Sequence, residues 1–192
     1  MESNHSESRG LTPVKIVVAG GFGVGKTTFV GAISEIEPIK SEALITQASV
    51  GIDELHPGGK KTETTVAMDF GRISLKHDLV LYLFGTPGQQ RFHFMWNELA
   101  RGAIGAVVLV DTRNIEASFP AIDFFEARET PFIVAINTFY GRALHTVDEV
   151  REALQVDEGV PVILCDARER SEVRRALEEV VTHALDRALT NA

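Results

Sequence analysis

Gly20-Gly21-Phe22-Gly23-Val24-Gly25-Lys26-Thr27 stands directly after the apolar run Val14 to Ala19. Its spacing is G-x-x-x-x-G-K-[ST], and the order of apolar run, glycine-rich turn and Lys-Thr predicts a strand that ends in a tight loop and opens a helix. Such a turn aims successive backbone N–H groups at one point, where the helix dipole adds partial positive charge. A polyphosphate is the group that fits. Gly21, Phe22, Gly23, Val24, Gly25, Lys26, Thr27 and Thr28 are the expected nucleotide contacts. Lys26 reaches the β- and γ-phosphates as a catalytic cation, and the Thr27 hydroxyl ligates a Mg²⁺ that bridges them. A glycine-rich turn with a stray lysine would account for the glycines but not for the full order of strand, loop and helix.

Working outward, the chain has 192 residues, 44% of them hydrophobic, which suits one domain over residues 13–192 behind a polar, disordered tail at 1–12. Cys165 is the only cysteine, so no intrachain disulfide is expected and a reducing, cytoplasmic setting fits best. No apolar stretch approaches the roughly 20 residues that span a bilayer, and neither end carries a lipidation signal, so no direct membrane anchor is expected. A formal net charge of −8 argues against nucleic acid as a ligand. The pattern leaves the oligomeric state open.

After the phosphate loop, Thr27 to Ile36 has helical character and Pro38 stops it. Residues 37–64 show no convincing period and contain Pro57-Gly58-Gly59, which predicts a long functional loop. Thr65 to Leu75 and Leu79 to Phe84 follow as strand-like runs, joined by a link too short for a crossover helix, and should pair antiparallel. Strands at 106–110, 132–136 and 162–165 then alternate with helices near 90–101, 115–128 and 146–155. Thr146 and Glu149 have the spacing of a capping box. The last helix repeats Val173, Ala176, Leu177, Val180, Val181, Ala184, Leu185 and Ala188 on one face. The expected fold is α/β: a six-stranded, mostly parallel sheet with one antiparallel strand and helices on both faces, its ligand site at the carboxyl ends of the strands.

A second motif, Leu83-Phe84-Gly85-Thr86-Pro87-Gly88-Gln89-Gln90, ends the strand beginning at Leu79. There the Gly88 N–H can meet a γ-phosphate and Gln89 can orient an attacking water. Thr65, in Thr64-Thr65-Val66-Ala67-Met68-Asp69-Phe70, can complete the Mg²⁺ shell if the long loop folds inward. With these pieces the chain resembles the Ras-like small GTPases from Val14 to the last helix. Residues 64–71 and 84–89 look more particularly like the bacterial small GTPases of the conservon operons, relatives of the gliding-motility GTPases. That resemblance implies a cytoplasmic switch that alternates between GTP and GDP, uses Mg²⁺, hydrolyses GTP slowly alone and answers to a small roadblock-fold partner.

Three positions depart from the Ras-like pattern. Gly85 stands where Asp-x-x-Gly has the aspartate that holds a Mg²⁺ water. Asp69 on the neighbouring strand either supplies that carboxylate, if it faces the site, or is a solvent-facing strand residue. Asn137-Thr138-Phe139-Tyr140 matches the base-reading Asn-Lys-x-Asp only at Asn137. A carboxylate accepts two hydrogen bonds from guanine, whereas Tyr140 can stack or donate one, a loss of about 2–4 kcal/mol of discrimination if nothing replaces it. By the resemblance, Ala167 offers its N–H to guanine O6 and Asp166 approaches the guanine edge. These departures keep a rival reading open, a nucleotide-binding scaffold with little hydrolysis or relaxed base specificity. Phe92, Phe94, Met95 and Trp96 crowd behind the hydrolysis loop; Phe92, Trp96 and Leu99 have core spacing, which leaves Phe94 and Met95 for a partner. His93 is expected on the solvated surface and Cys165 in the core. Arg91 lies near the loop, but no arginine finger can be assigned.

Overall fold

A computed structural model of the chain describes residues 11–37, 39–45, 64–75 and 79–190. The predicted polar tail and most of the predicted long loop lie outside those residues. One seven-stranded sheet in the order β2-β3-β4-β1-β5-β6-β7 organises the rest. Its strands are β1 (Thr12–Gly20), β2 (Ile39–Ile45), β3 (Thr64–Ser74), β4 (Leu79–Gly85), β5 (Gly105–Val110), β6 (Phe132–Asn137) and β7 (Val162–Cys165). Helices α1 (Lys26–Ile33), α2 (Trp96–Ala100), α3 (Phe119–Glu126), α4 (Val147–Leu154) and α5 (Arg170–Thr190) connect or follow them. β3 alone runs against its neighbours β2 and β4, so the expected mostly parallel sheet with one antiparallel strand is the sheet observed.

Strands β5 and β6 are buried at every residue, and β1 from Ile16 onward. Both faces of a parallel sheet are covered by helices, so these strands read as continuous apolar runs rather than as alternation. Alternate β1 side chains divide between two cores. Ile16 and Val18 pack with Phe29 and Val30 of α1 and with Val173, Leu177 and Val180 of α5. Val17 and Ala19 pack with Trp96, Ile122, Phe125, Val150 and Leu154 on the other face. Full burial of each such side chain stabilises the fold by about 1.5–3 kcal/mol.

Two sequence expectations need correction. Residues 39–45, read as loop, form β2, an edge strand paired antiparallel with β3 from Ile39↔Phe70 to Ile45↔Thr64. The apolar face of α5 ends at Ala184; Leu185 is 58% exposed because the helix has by then run past the sheet. The α4 capping box forms as expected: Glu149 N–H donates to the Thr146 hydroxyl at 3.2 Å, and Thr146 N–H donates to the Glu149 carboxylate at 2.8 Å.

β3 is longer than its partner β4. It pairs with β4 only from Asp69↔Gly85 onward, so residues 64–68 pair with β2 alone and overhang the carboxyl end of β4. That end of the sheet carries the site.

Candidate nucleotide site

The buried strand β1 delivers the phosphate loop to the N-terminus of α1, where Gly25 is the cap residue with φ 108°. A Cβ there would lie 2.7 Å from the Asn137 amide nitrogen, so glycine satisfies both the backbone conformation and the close approach. Asn137, at the end of β6, donates through Nδ2 to the Val24 carbonyl at 2.9 Å and accepts from the Ala167 N–H at 3.3 Å. One buried amide thus ties the phosphate loop to the loops after β6 and β7. A strand-capping role for Asn137 would need none of these distant partners.

Lys26 is 8% exposed, and its ammonium donates to the Gly20 and Gly21 carbonyls at 3.0 and 2.7 Å. Burial pushes its pKa down to about 8, against an opposing pull from Asp69. The next residue carries the metal-side chemistry. The Thr27 hydroxyl donates to Asp69 Oδ2 at 2.7 Å, so the Asp69 carboxylate faces the site. Asp69 and Gly85 are directly paired across β3 and β4, and a Cβ on Gly85 would lie 2.9 Å from Asp69 Cβ and 3.1 Å from Oδ2. The carboxylate missing from one strand stands on its neighbour, and glycine leaves it the room. With its proton committed to Asp69, the Thr27 oxygen keeps a lone pair free for a hard cation, a donor set that suits Mg²⁺ completed by water and phosphate.

The hydrolysis loop sits on the phosphate loop. Thr86 N–H donates to the Val18 carbonyl at 2.8 Å, and a Cβ on Gly88 would come within 2.8 Å of Lys26 Nζ and 2.9 Å of the Phe22 backbone. The Trp96 indole N–H donates to the Pro87 carbonyl at 3.2 Å, anchoring the loop from below. Phe92, Trp96 and Leu99 are buried, as their spacing implied, while Phe94 is 54% exposed. Gln89 is extended and exposed. His93 is not a free surface residue: it packs against Trp96 with centroids 4.2 Å apart and the rings tilted by 39°, and burial lowers its pKa. The Cys165 thiol is buried and its pKa is pushed up to about 12 by that burial.

Thr65 is not brought to this cluster. It pairs with Leu44 within β3, four residues from Asp69, which at strand rise is roughly 13 Å. An inward swing would require the first residues of β3 to leave β2.

At the other end, Phe139 and Tyr140 have φ of 36° and 75°. Buried Asp166 accepts the Tyr140 N–H at 3.2 Å, the Arg168 N–H at 3.0 Å, and Arg168 Nε and Nη2 at 2.9 and 2.6 Å. The Arg168 fork holds this carboxyl well below the usual carboxylate range. The Arg168 guanidinium lies 3.9 Å from the Tyr140 ring centroid. The same unit recurs two strands over, after β5: Arg113 forks Asp111 at 2.9 and 2.8 Å and lies 4.0 Å from the Phe139 ring. Sequence reasoning passed over Asp111, Arg113 and Arg168. Their signal is the repeated Asp-x-Arg directly after two apolar strands, Asp111-Thr112-Arg113 and Asp166-Ala167-Arg168.

A mostly parallel sheet, a phosphate loop opening α1 and a second loop closing over Lys26 define a phosphate-loop NTPase fold. Residues 18–187 match the family described as conserved hypothetical ATP binding protein, and the chain belongs to it. An uncharacterized protein of Methanocaldococcus jannaschii is 29% identical over 127 residues, covering 65% of this chain and 69% of its own. The Ypt/Rab-type GTPase ypt7 of Pyricularia oryzae is 25% identical over 192 residues, covering 93% and 85%. Among solved structures, the G domain of the T. maritima FeoB iron transporter is similar in fold, with a TM-score of 0.62 at 20% identity over 90% of this chain and 99% of that one.

Proposed function

We propose that this chain is a bacterial Ras-like small GTPase, a GTP/GDP-dependent switch of the conservon type with slow hydrolysis of its own. The observation that carries the reading is the seating of Gly88 against Lys26 and Phe22, which makes the hydrolysis loop a direct neighbour of any bound γ-phosphate. The likeness to a Ypt/Rab-type GTPase and to a G domain supports it.

In this reading the backbone N–H groups of residues 21–28 and the Lys26 ammonium hold the phosphates. Lys26 exchanges the Gly20 and Gly21 carbonyls for β- and γ-oxygens. Thr27 and Asp69 form the protein side of a Mg²⁺ site, with Thr65 joining when the start of β3 moves inward. A Mg²⁺ held by Thr27 and Asp69 would supply neutralisation of charge on the phosphoryl oxygens. The Gly88 N–H donates to the γ-phosphate, and Gln89 aligns the attacking water. Because Gln89 is exposed, nothing yet fixes its amide over the phosphate, which accounts for slow turnover and gives a regulator its task. A roadblock-fold regulator in the cytoplasm fits the conservon-like motifs, and exposed Phe94 beside the loop offers it an apolar contact.

Release of phosphate from GTP by nucleotide-stripped protein, with and without Gln89→Leu, tests the reading. A low wild-type rate that falls about tenfold or more in the variant supports hydrolysis at this site. Tight GTP binding with no release from either protein favours the second reading, a nucleotide-binding scaffold, for which the exposure of Gln89 is the motivating observation.

A further inference from the structure

We infer that the base pocket of this protein does not select guanine over adenine, and that Tyr140 is the residue that removes the selection. The inference rests on the nucleotide-switch reading and names the substrate class of the same site. With phosphates at Lys26 and the start of α1, the rest of the nucleotide extends along the carboxyl ends of the strands toward β6 and β7. The seam from Val24 through Asn137 to Ala167 leads there, and the residues beyond it are Phe139, Tyr140, Asp166 and Arg168.

Guanine differs from adenine in presenting an N1–H and an amino group on one edge, both donors. A site that selects guanine must offer them paired acceptors, which only an unoccupied carboxylate provides well. Neither aspartate at these strand ends offers a pair of free acceptors. Asp166 accepts four hydrogen bonds, two on each oxygen, all from Arg168 and Tyr140 within the chain. A carboxylate has about four lone-pair sites, so none remains for a base. Asp111 is engaged by Arg113 through the backbone N–H, Nε and Nη2. The Ala167 N–H, the donor suited to guanine O6, is directed to Asn137 Oδ1.

Among the described residues, the side chains that flank this aspartate–arginine pair are of another kind. Tyr140 is 78% exposed, its ring backed by the Arg168 guanidinium, and Phe139 is backed by Arg113. These are π faces and hydrogen-bond donors. They hold a purine by stacking and through ring nitrogens that adenine and guanine share, and they do not read the edge on which the two differ.

The position is also suited to reversal. The left-handed backbone at Tyr140 is held by its N–H bond to Asp166, and aspartate adopts that conformation more readily than tyrosine. Tyr140→Asp should therefore fold and set an added carboxylate at the rim. Displacement of a fluorescent GDP by unlabelled GDP and ADP, with Mg²⁺, gives a selectivity ratio for each protein. The wild-type ratio is expected to lie within about tenfold, Tyr140→Asp to raise it toward GDP by about thirtyfold, and Tyr140→Ala to weaken both ligands together. A wild-type preference for GDP beyond about tenfold, or a ratio that Tyr140→Asp leaves unmoved, overturns the inference. Failure of wild-type protein to bind the fluorescent GDP or ADP at all overturns instead the switch reading beneath it.

Discussion

The two ends of the site are built on opposite plans. At the phosphate end the polar groups are held ready for exchange: the Lys26 ammonium rests on two carbonyls of its own loop, and Thr27 rests on Asp69. At the base end they are already matched to one another, Asp166 with Arg168 and Asp111 with Arg113. A polyphosphate repays the release of Lys26 with stronger charge-assisted bonds. A base edge has too little to offer to break an Asp–Arg fork. The proposed switch would thereby separate affinity from selectivity, the first belonging to β1 and α1 and the second to the loops after β5, β6 and β7.

The sharpest way to break that contrast is Lys26→Ala. It should weaken GDP and ADP alike by about a thousandfold, close to 4 kcal/mol, as measured by calorimetry. A loss confined to one base would mean that the ends are coupled. Asp69→Ala comes next: about thirtyfold weaker binding at saturating Mg²⁺ and little change in EDTA, because its part is played through the metal. An equal loss in EDTA would make Asp69 a structural prop of Thr27.

Proton linkage gives a smaller effect of defined sign. Lys26 has a pKa of about 8 in the free protein, and phosphate oxygens raise it in the complex. Above pH 8 binding must therefore take up a proton, so affinity should fall about tenfold between pH 8 and pH 9.5 and show no Lys26-dependent slope below pH 8. A flat profile across that range would mean that the free ammonium is not destabilised. Smallest is Arg168→Ala, which leaves the buried Asp166 carboxylate without its fork. We expect about 1–3 kcal/mol lost in chemical denaturation and less than about threefold change in affinity for inorganic pyrophosphate.

Much of the phosphate end was legible because its information is local. Eight consecutive residues dictate strand, loop and helix, and the motif at 83–90 adds the facing loop. The continuous apolar runs of β1, β5 and β6 placed the sheet. β2 was not legible: Ile39-Lys40-Ser41-Glu42-Ala43-Leu44-Ile45 has no alternation, and its strand state comes from pairing with β3. The contact of Asp69 with Thr27 joins residues 42 apart, and sequence left its facing open. The arginine clamps needed two loops brought together by β6 and β7, though Asp-x-Arg repeated after two apolar strands was the available hint. The missing carboxylate at Tyr140 was readable, whereas the saturation of Asp166 was not.

In the proposed switch, the hydrolysis loop senses the third phosphate through its contact with the phosphate loop. Trp96 is the only tryptophan, and its indole N–H is bonded to Pro87 inside that loop. Its emission should therefore be recorded with saturating GDP and then with a non-hydrolysable GTP analogue, each with Mg²⁺. Two distinct spectra are expected, with the difference abolished in a Gly88→Ala protein that still binds GDP. Identical spectra for two nucleotides shown by calorimetry to be bound would contradict such sensing.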